Sequence, residues 1–155
     1  MLLLMFTCEN ERYGIDVRQI IEVVSMVRFK KIPHSPDYVA GLFKYRGSIV
    51  PVIDLIVLLA GSQSKPLLST RIILVDYAGS DKERHILGLL AEKVTDTMMC
   101  SEADFLSPGI ESDDTPYLGT ITTDTDGMIQ LIDPLKLLPE SLQQDLFAEK
   151  RHKSP

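Results

Sequence analysis

Three histidines, two cysteines and two aspartates that end matching apolar runs are the residues here with the chemistry for a reaction. His34 lies between Pro33 and Ser35-Pro36, His85 opens an apolar run, and His152 is in the C-terminal tail. None sits in H-E-x-x-H or a comparable ligand spacing, so turn or surface histidines are expected. Cys8 and Cys100 have no C-x-x-C partner, which leaves metal binding, redox chemistry and a disulfide without support. Asp54 and Asp133 have the chemistry of a carboxylate pair for acid–base catalysis. Each instead precedes a helix-compatible segment, and N-capping is the simpler account. The glycines form neither G-x-G-x-x-G nor a P-loop, and Gly14, Gly47, Gly88, Gly119 and Gly127 read as turn and bulge positions. No catalytic residue, cofactor or metal ligand is therefore assigned.

Composition points the same way. At 155 residues the chain is long enough for one domain with a real core, or for two very small barrels sharing one. Its 45% apolar and 25% charged content is that of a folded globular protein. The net charge of −6, with basic residues scattered apart from Lys150 to Lys153, argues against nucleic acid as a partner. Leu2 to Phe6 is apolar but too short for an export signal or a span, lacks a basic flank, and meets Glu9 and Glu11. It reads as a buried strand, and the cytoplasm is the expected compartment.

The elements that would position any site are mostly strands. Short runs rich in Ile, Val and Leu recur at 2–8, 12–16, 39–45, 48–53, 70–77, 84–91, 118–123 and 128–132. Tyr45-Arg46-Gly47-Ser48 is a tight-hairpin candidate, and Asp126-Gly127 supplies the pair typical of a type I′ turn between Thr125 and Met128. Helices are few. Val17, Ile20, Ile21 and Val24 fall at helical spacing behind Asp16 as N-cap, which predicts one or two helical turns. Asp133-Pro134 predicts a capped turn carrying Leu135, Leu137 and Leu138 and stopped by Pro139. Ser141 is placed as the cap of a final helix with Leu142, Leu146 and Phe147, fraying from Arg151 to Pro155.

An internal repeat organises these elements. Ser48 to Asp54, then Leu58-Leu59, lines up with Gly127 to Asp133, then Leu137-Leu138, at an offset of 79 residues. Gly14-Ile15, Ile20 and Glu22 line up with Gly88-Leu89, Val94 and Asp96 at an offset of 74, and the difference fits the polar loop near Ser107 to Pro116. Two duplicated halves of this kind predict two small antiparallel barrels, because closure removes exposed strand edges. The expected division is one domain over 1–155, with sub-barrels 1–66 and 67–140, the first strand open to sharing between them, and 141–155 as helix and tail.

The same residues carry a family resemblance. Tyr13-Gly14-Ile15-Asp16-Val17, Ile20-Ile21-Glu22-Val23, Ile32-Pro33, Arg46-Gly47 and Ile49 to Leu55 resemble the CheW family in order and spacing. The likeness continues through Arg71 to Val75, Leu87 to Leu90 and Ile129 to Leu138. It implies a mainly β fold of two SH3-like five-stranded β-barrels packed together. It also implies a non-catalytic adaptor, coupling the cytoplasmic tip of a chemoreceptor to the regulatory domain of a CheA-type histidine kinase. By resemblance the partner-binding positions are Ile20, Glu22, Arg46 and Gly47, with Glu22 and Arg46 facing the receptor. Two departures bear on partner choice: Lys44-Tyr45 stands where the family has Asn-Leu, and Ala91-Glu92 where Val-Asp is common.

Two other readings compete with the adaptor. A small enzyme or metal-binding protein on the same barrels would need a pocket of convergent His, Cys or carboxylate groups. A module detached from a larger protein is disfavoured by Met1 opening directly on a strand and by the short tail.

Overall fold

The computed structural model describes residues 1–61, 69–109 and 113–151. The expected fraying past Arg151 and part of the Ser107 to Pro116 loop lie outside these residues. Among the described residues, ten strands and two α-helices follow one another: β1 (Leu2–Cys8), β2 (Glu11–Asp16), β3 (Ile20–Ser25), β4 (Val39–Tyr45), β5 (Ser48–Asp54), α1 (Leu55–Ala60), β6 (Arg71–Ala78), β7 (Arg84–Ala91), β8 (Thr97–Met99), β9 (Leu118–Asp124), β10 (Gly127–Ile132) and α2 (Glu140–Arg151). They form two five-stranded sheets, ordered β8-β1-β2-β10-β9 and β3-β6-β7-β5-β4.

The repeat is visible in the pairing. Gly14 lies opposite Leu131 where β2 and β10 run parallel, and Gly88 lies opposite Val52 where β7 and β5 do. These are the positions that the two offsets equate. Asp54 N–H donates to the Tyr38 carbonyl and Asp133 N–H to the Tyr117 carbonyl, a further pair at offset 79. Ile49 to Ile53 and Met128 to Ile132 accordingly occupy equivalent strands, as expected.

The expected boundary between residues 66 and 67 does not divide the sheets. β1 and β2 from the first half share a sheet with β8, β9 and β10 from the second, while β6 and β7 share the other with β3, β4 and β5. The reason lies in the parallel pairs. A hairpin supplies only antiparallel neighbours, and the parallel partner of β2 or β7 must arrive by a longer connection. Here it arrives from the other half. Glycine permits the close approach, since a Cβ on Gly88 would sit 3.0 Å from Val52 Cγ2 and 3.1 Å from Ile72 Cγ2.

Each sheet curls until its edges meet. Lys30, beyond the end of β3, exchanges two backbone hydrogen bonds of 2.8 Å with Leu42 of β4. Leu106, beyond β8, does the same with Ile121 of β9 at 2.8 Å. Strand β6 is buried on both faces, which explains its unbroken apolar run. Ile73, Val75 and Tyr77 face the core between the sheets with Phe6, Ile15 and Leu89. Ile72 and Leu74 face the interior of their own barrel with Val50, Val52 and Leu90.

Three local expectations need correction. The stripe behind Asp16 forms only a 3-10 turn, Val17–Gln19, and Ile20–Ser25 is strand β3. Its β-branched residues fit a pleated edge that pairs with β6, and that pairing outweighs helical spacing. The β9–β10 turn centres on Thr125-Asp126, because the Asp124 carboxylate accepts the Asp126 N–H at 2.8 Å and Gly127 already pairs with Asp124. Helix α2 begins at Glu140, so Ser141 lies inside it. Asp16, Asp54 and Asp133 do cap their elements as read.

Candidate partner-binding site

Strands β3 and β4 are the opposite edges of one sheet, so residues 23 positions apart in sequence meet only because that sheet closes. At the seam the β4–β5 hairpin turns through Arg46 (φ 47°) and Gly47 (φ 84°), between the pair Tyr45 and Ser48. Two successive left-handed residues match the right-handed twist of the hairpin, and glycine holds the second without steric cost. Arg46 takes the first, an unusual conformation for a side chain of its size.

Three side chains converge here. The Tyr45 hydroxyl donates a very short hydrogen bond to Glu22 Oε2. That bond holds the Tyr45 hydroxyl above its ordinary pKa. Arg46 Nη2 lies 3.4 Å from the same Glu22 oxygen, and its guanidinium carbon sits 5.3 Å from the centre of the Tyr45 ring. The Arg46 side chain is nevertheless 76% exposed, so the cation is steered by its neighbours without being enclosed. An exposed ion pair of this kind contributes about 0.2–1 kcal/mol and a cation–π contact at an exposed site about 0.5–1 kcal/mol. Most of the cation's hydrogen-bonding capacity still faces outward.

Of the four residues expected at the site, Glu22, Arg46 and Gly47 come together. Ile20 does not. It is half-buried against the core between the sheets, while Ile21 next to it is exposed. Glu22 lies on the inward face of β3 with Val24, rather than on a solvated helix face. Tyr45 was not picked out as a site residue by the sequence. It occupies one of the departures from the family pattern, and a leucine there would have no hydroxyl to tie Glu22 to the turn. The other departure is quieter: Ala91 is fully buried and Glu92 half-buried at the end of β7.

Other chemical groups resolve into packing and capping. His34 is exposed, at φ 61°. His85, expected at a turn or on the surface, is buried. Its ring stacks on Phe147 at 4.0 Å between centroids and its Nε2 lies 3.0 Å from Asp81. Asp81, Glu83 and His85 bring ligand atoms within 4.8 Å of one another, but the imidazole is already engaged by the aspartate and by helix α2. Burial pushes the Cys8 thiol up to about 11, and Cys100 is raised for the same reason. An open hollow of about 660 Å³ holds Asp16 and Asp133, each already accepting a backbone N–H as a cap.

Comparison with known proteins agrees with this architecture. The family model for the CheW-like domain matches residues 2–142. The chain is 30% identical over 138 residues to the chemotaxis protein CheW of Klebsiella aerogenes, covering 87% of this chain and 80% of that one. It is 26% identical over 108 residues to protein FrzA of Myxococcus xanthus, covering 70% and 64%. The crystal structure of the scaffolding protein TtCheW from Thermoanaerobacter tengcongensis superposes with a TM-score of 0.76 at 27% identity, over 90% of this chain and 89% of that one. Two closed five-stranded sheets, a hairpin carrying Arg46-Gly47, and a family match over nearly the whole chain lead to one conclusion: the chain belongs to the CheW-like domain family.

Proposed function

We propose that the chain is a non-catalytic chemotaxis adaptor that couples the cytoplasmic tip of a chemoreceptor to the regulatory domain of a CheA-type histidine kinase. It works in the cytoplasm and reaches the membrane only through receptor arrays. None of its described helices is long and apolar enough to cross a membrane. The observation that carries the reading is Arg46, a well-exposed guanidinium held at a hairpin tip by Tyr45 and Glu22. A planar donor fork placed in this way recognises carboxylates or carbonyls of a partner and needs no chemistry beyond binding. Ile20 contributes by shaping the strand beneath the site, and Gly47 by permitting the turn. Contacts that are modest singly gain strength when many copies are arrayed.

Titrating the Arg46→Ala and Arg46→Glu proteins separately against a receptor cytoplasmic fragment and the kinase regulatory domain tests the reading. Receptor affinity is expected to fall by about 1–3 kcal/mol, with kinase affinity and folding nearly unchanged. Equal losses for both partners, or loss of the fold, would make Arg46 a structural residue.

A further inference from the structure

Two arginine forks in this chain are closed by carboxylates. Arg12 donates to both oxygens of Asp124, at 2.6 and 2.5 Å, and Arg18 donates from Nε and Nη2 to Asp16 Oδ2, at 3.1 and 2.7 Å. Arg46 is placed differently. Its Nη2 lies 3.4 Å from Glu22 Oε2, too far for a strong charge-assisted hydrogen bond, although a carboxylate and a guanidinium this close often join fork to fork. That same Glu22 oxygen accepts the Tyr45 hydroxyl. With it held by the phenol, the carboxylate is not free to turn both oxygens onto Arg46.

The hydroxyl is itself fixed by packing. The Tyr45 ring lies against Phe43, at 6.4 Å between centroids, and Phe43 against Phe29 at 6.1 Å, a row of rings on the margin of the barrel interior. The same Tyr45 ring carries the Arg46 guanidinium at 5.3 Å. One residue thus restrains the carboxylate through its hydroxyl and steers the cation through its ring. With 76% of its side chain exposed, Arg46 keeps its N–H donors for an acceptor from outside the chain.

We propose, building on the adaptor reading, that Tyr45 is a specificity-determining residue of the receptor site: it holds Glu22 off Arg46 and so keeps the fork open for a carboxylate on the receptor tip. Without the hydroxyl, Glu22 closes on Arg46 as Asp124 closes on Arg12, and an incoming carboxylate must first displace it. A planar fork matches the two oxygens of a carboxylate with two parallel bonds. A neutral amide has one acceptor oxygen and cannot make both. The open fork therefore selects receptor tips by charge as well as by shape.

The test titrates the full chain calorimetrically with a receptor cytoplasmic fragment, in its native form and with the carboxylates of its tip replaced by amides. Tyr45→Phe keeps the ring contacts and loses only the hydroxyl. Its affinity for the native fragment should fall about two- to fivefold, the strength of the exposed ion pair that must then be broken, with the kinase regulatory domain bound as before. Adding Glu22→Gln to Tyr45→Phe removes the competing carboxylate and should restore binding to within about twofold of the wild type. The amide fragment should be bound about equally by the wild type and by Tyr45→Phe. If Tyr45→Phe melts early, the rescue still decides, because Glu22→Gln restores affinity only where the carboxylate was competing. Tyr45→Phe binding like the wild type, a double variant weaker than Tyr45→Phe alone, or a loss of equal size with the amide fragment would overturn the proposal. A wild type that binds neither fragment removes both readings, whereas binding that needs Arg46 and ignores Tyr45 removes this one alone.

Discussion

Replacing the two equivalent capping aspartates with alanine should destabilise the protein by unequal amounts. Asp54 is 6% exposed, and one of its carboxylate oxygens accepts the N–H of Ile56 at 2.9 Å and of Val57 at 3.3 Å. Removing it leaves the Ile56 donor buried without that acceptor and frees the start of α1. An N-cap loss of about 0.5–2 kcal/mol combines with the penalty for a buried unsatisfied donor, for a total of about 2–3 kcal/mol. Asp133 accepts a single exposed N–H, from Leu135 at 3.1 Å, and Pro134 brings no donor to be satisfied. Its loss should cost about 0.5–1 kcal/mol. For a chain of this size the melting midpoints should fall by about 5–10 °C for Asp54→Ala and about 2–3 °C for Asp133→Ala. Calorimetry with matched urea titrations reads both, and Asp54→Asn, which keeps an acceptor, should recover part of the larger loss. Equal losses at the two sites, or an Asn variant no better than Ala, would refute the capping argument.

Three further outcomes follow from the same structure. Gly88→Ala should cost about 1–3 kcal/mol, because its Cβ would press on Val52 and Ile72 inside a packed barrel; a neutral result in chemical denaturation would mean that β5 and β7 can separate without cost. Both thiols should resist a colour-forming disulfide reagent at neutral pH and react only on unfolding, since both are buried and their thiolates disfavoured; rapid labelling of the native protein would contradict this. The raised Cys8 thiol, at about 11, and Tyr77 hydroxyl, at about 12, mean that the folded state holds protons the unfolded chain releases earlier. Their contribution is therefore intact below about pH 9 and should be lost as pH rises to about 12, and stability that increased across that range would contradict the assignment.

The sequence made the long strands legible because their apolar runs are short, β-branched and bounded by turns. It also made the hairpin at Arg46-Gly47 and the three aspartate caps legible, since these depend on neighbours within a few residues. What it concealed depends on distant partners. Strand β3 satisfies helical spacing by coincidence and becomes a strand only against β6. Strand β8, three residues in polar surroundings, exists because β1 pairs with it. The exchange of strands between the two halves follows from parallel pairing, which leaves no local mark. At the site, Arg46 and Glu22 could be named from resemblance, but their connection through Tyr45 required the two edges of a sheet to meet. His85 looked like any residue opening a strand until helix α2 folded back and set Phe147 on its ring.

If the chain holds receptor and kinase on separate surfaces, as proposed, both bind it at once. The chain is mixed with a receptor cytoplasmic fragment and a kinase regulatory domain, and complexes are resolved by sedimentation. A ternary complex is expected with the wild-type chain and, with Arg46→Glu, a complex with the kinase domain from which the receptor fragment is missing. Competition between the two partners for the wild-type chain, or loss of both from the variant, would contradict it.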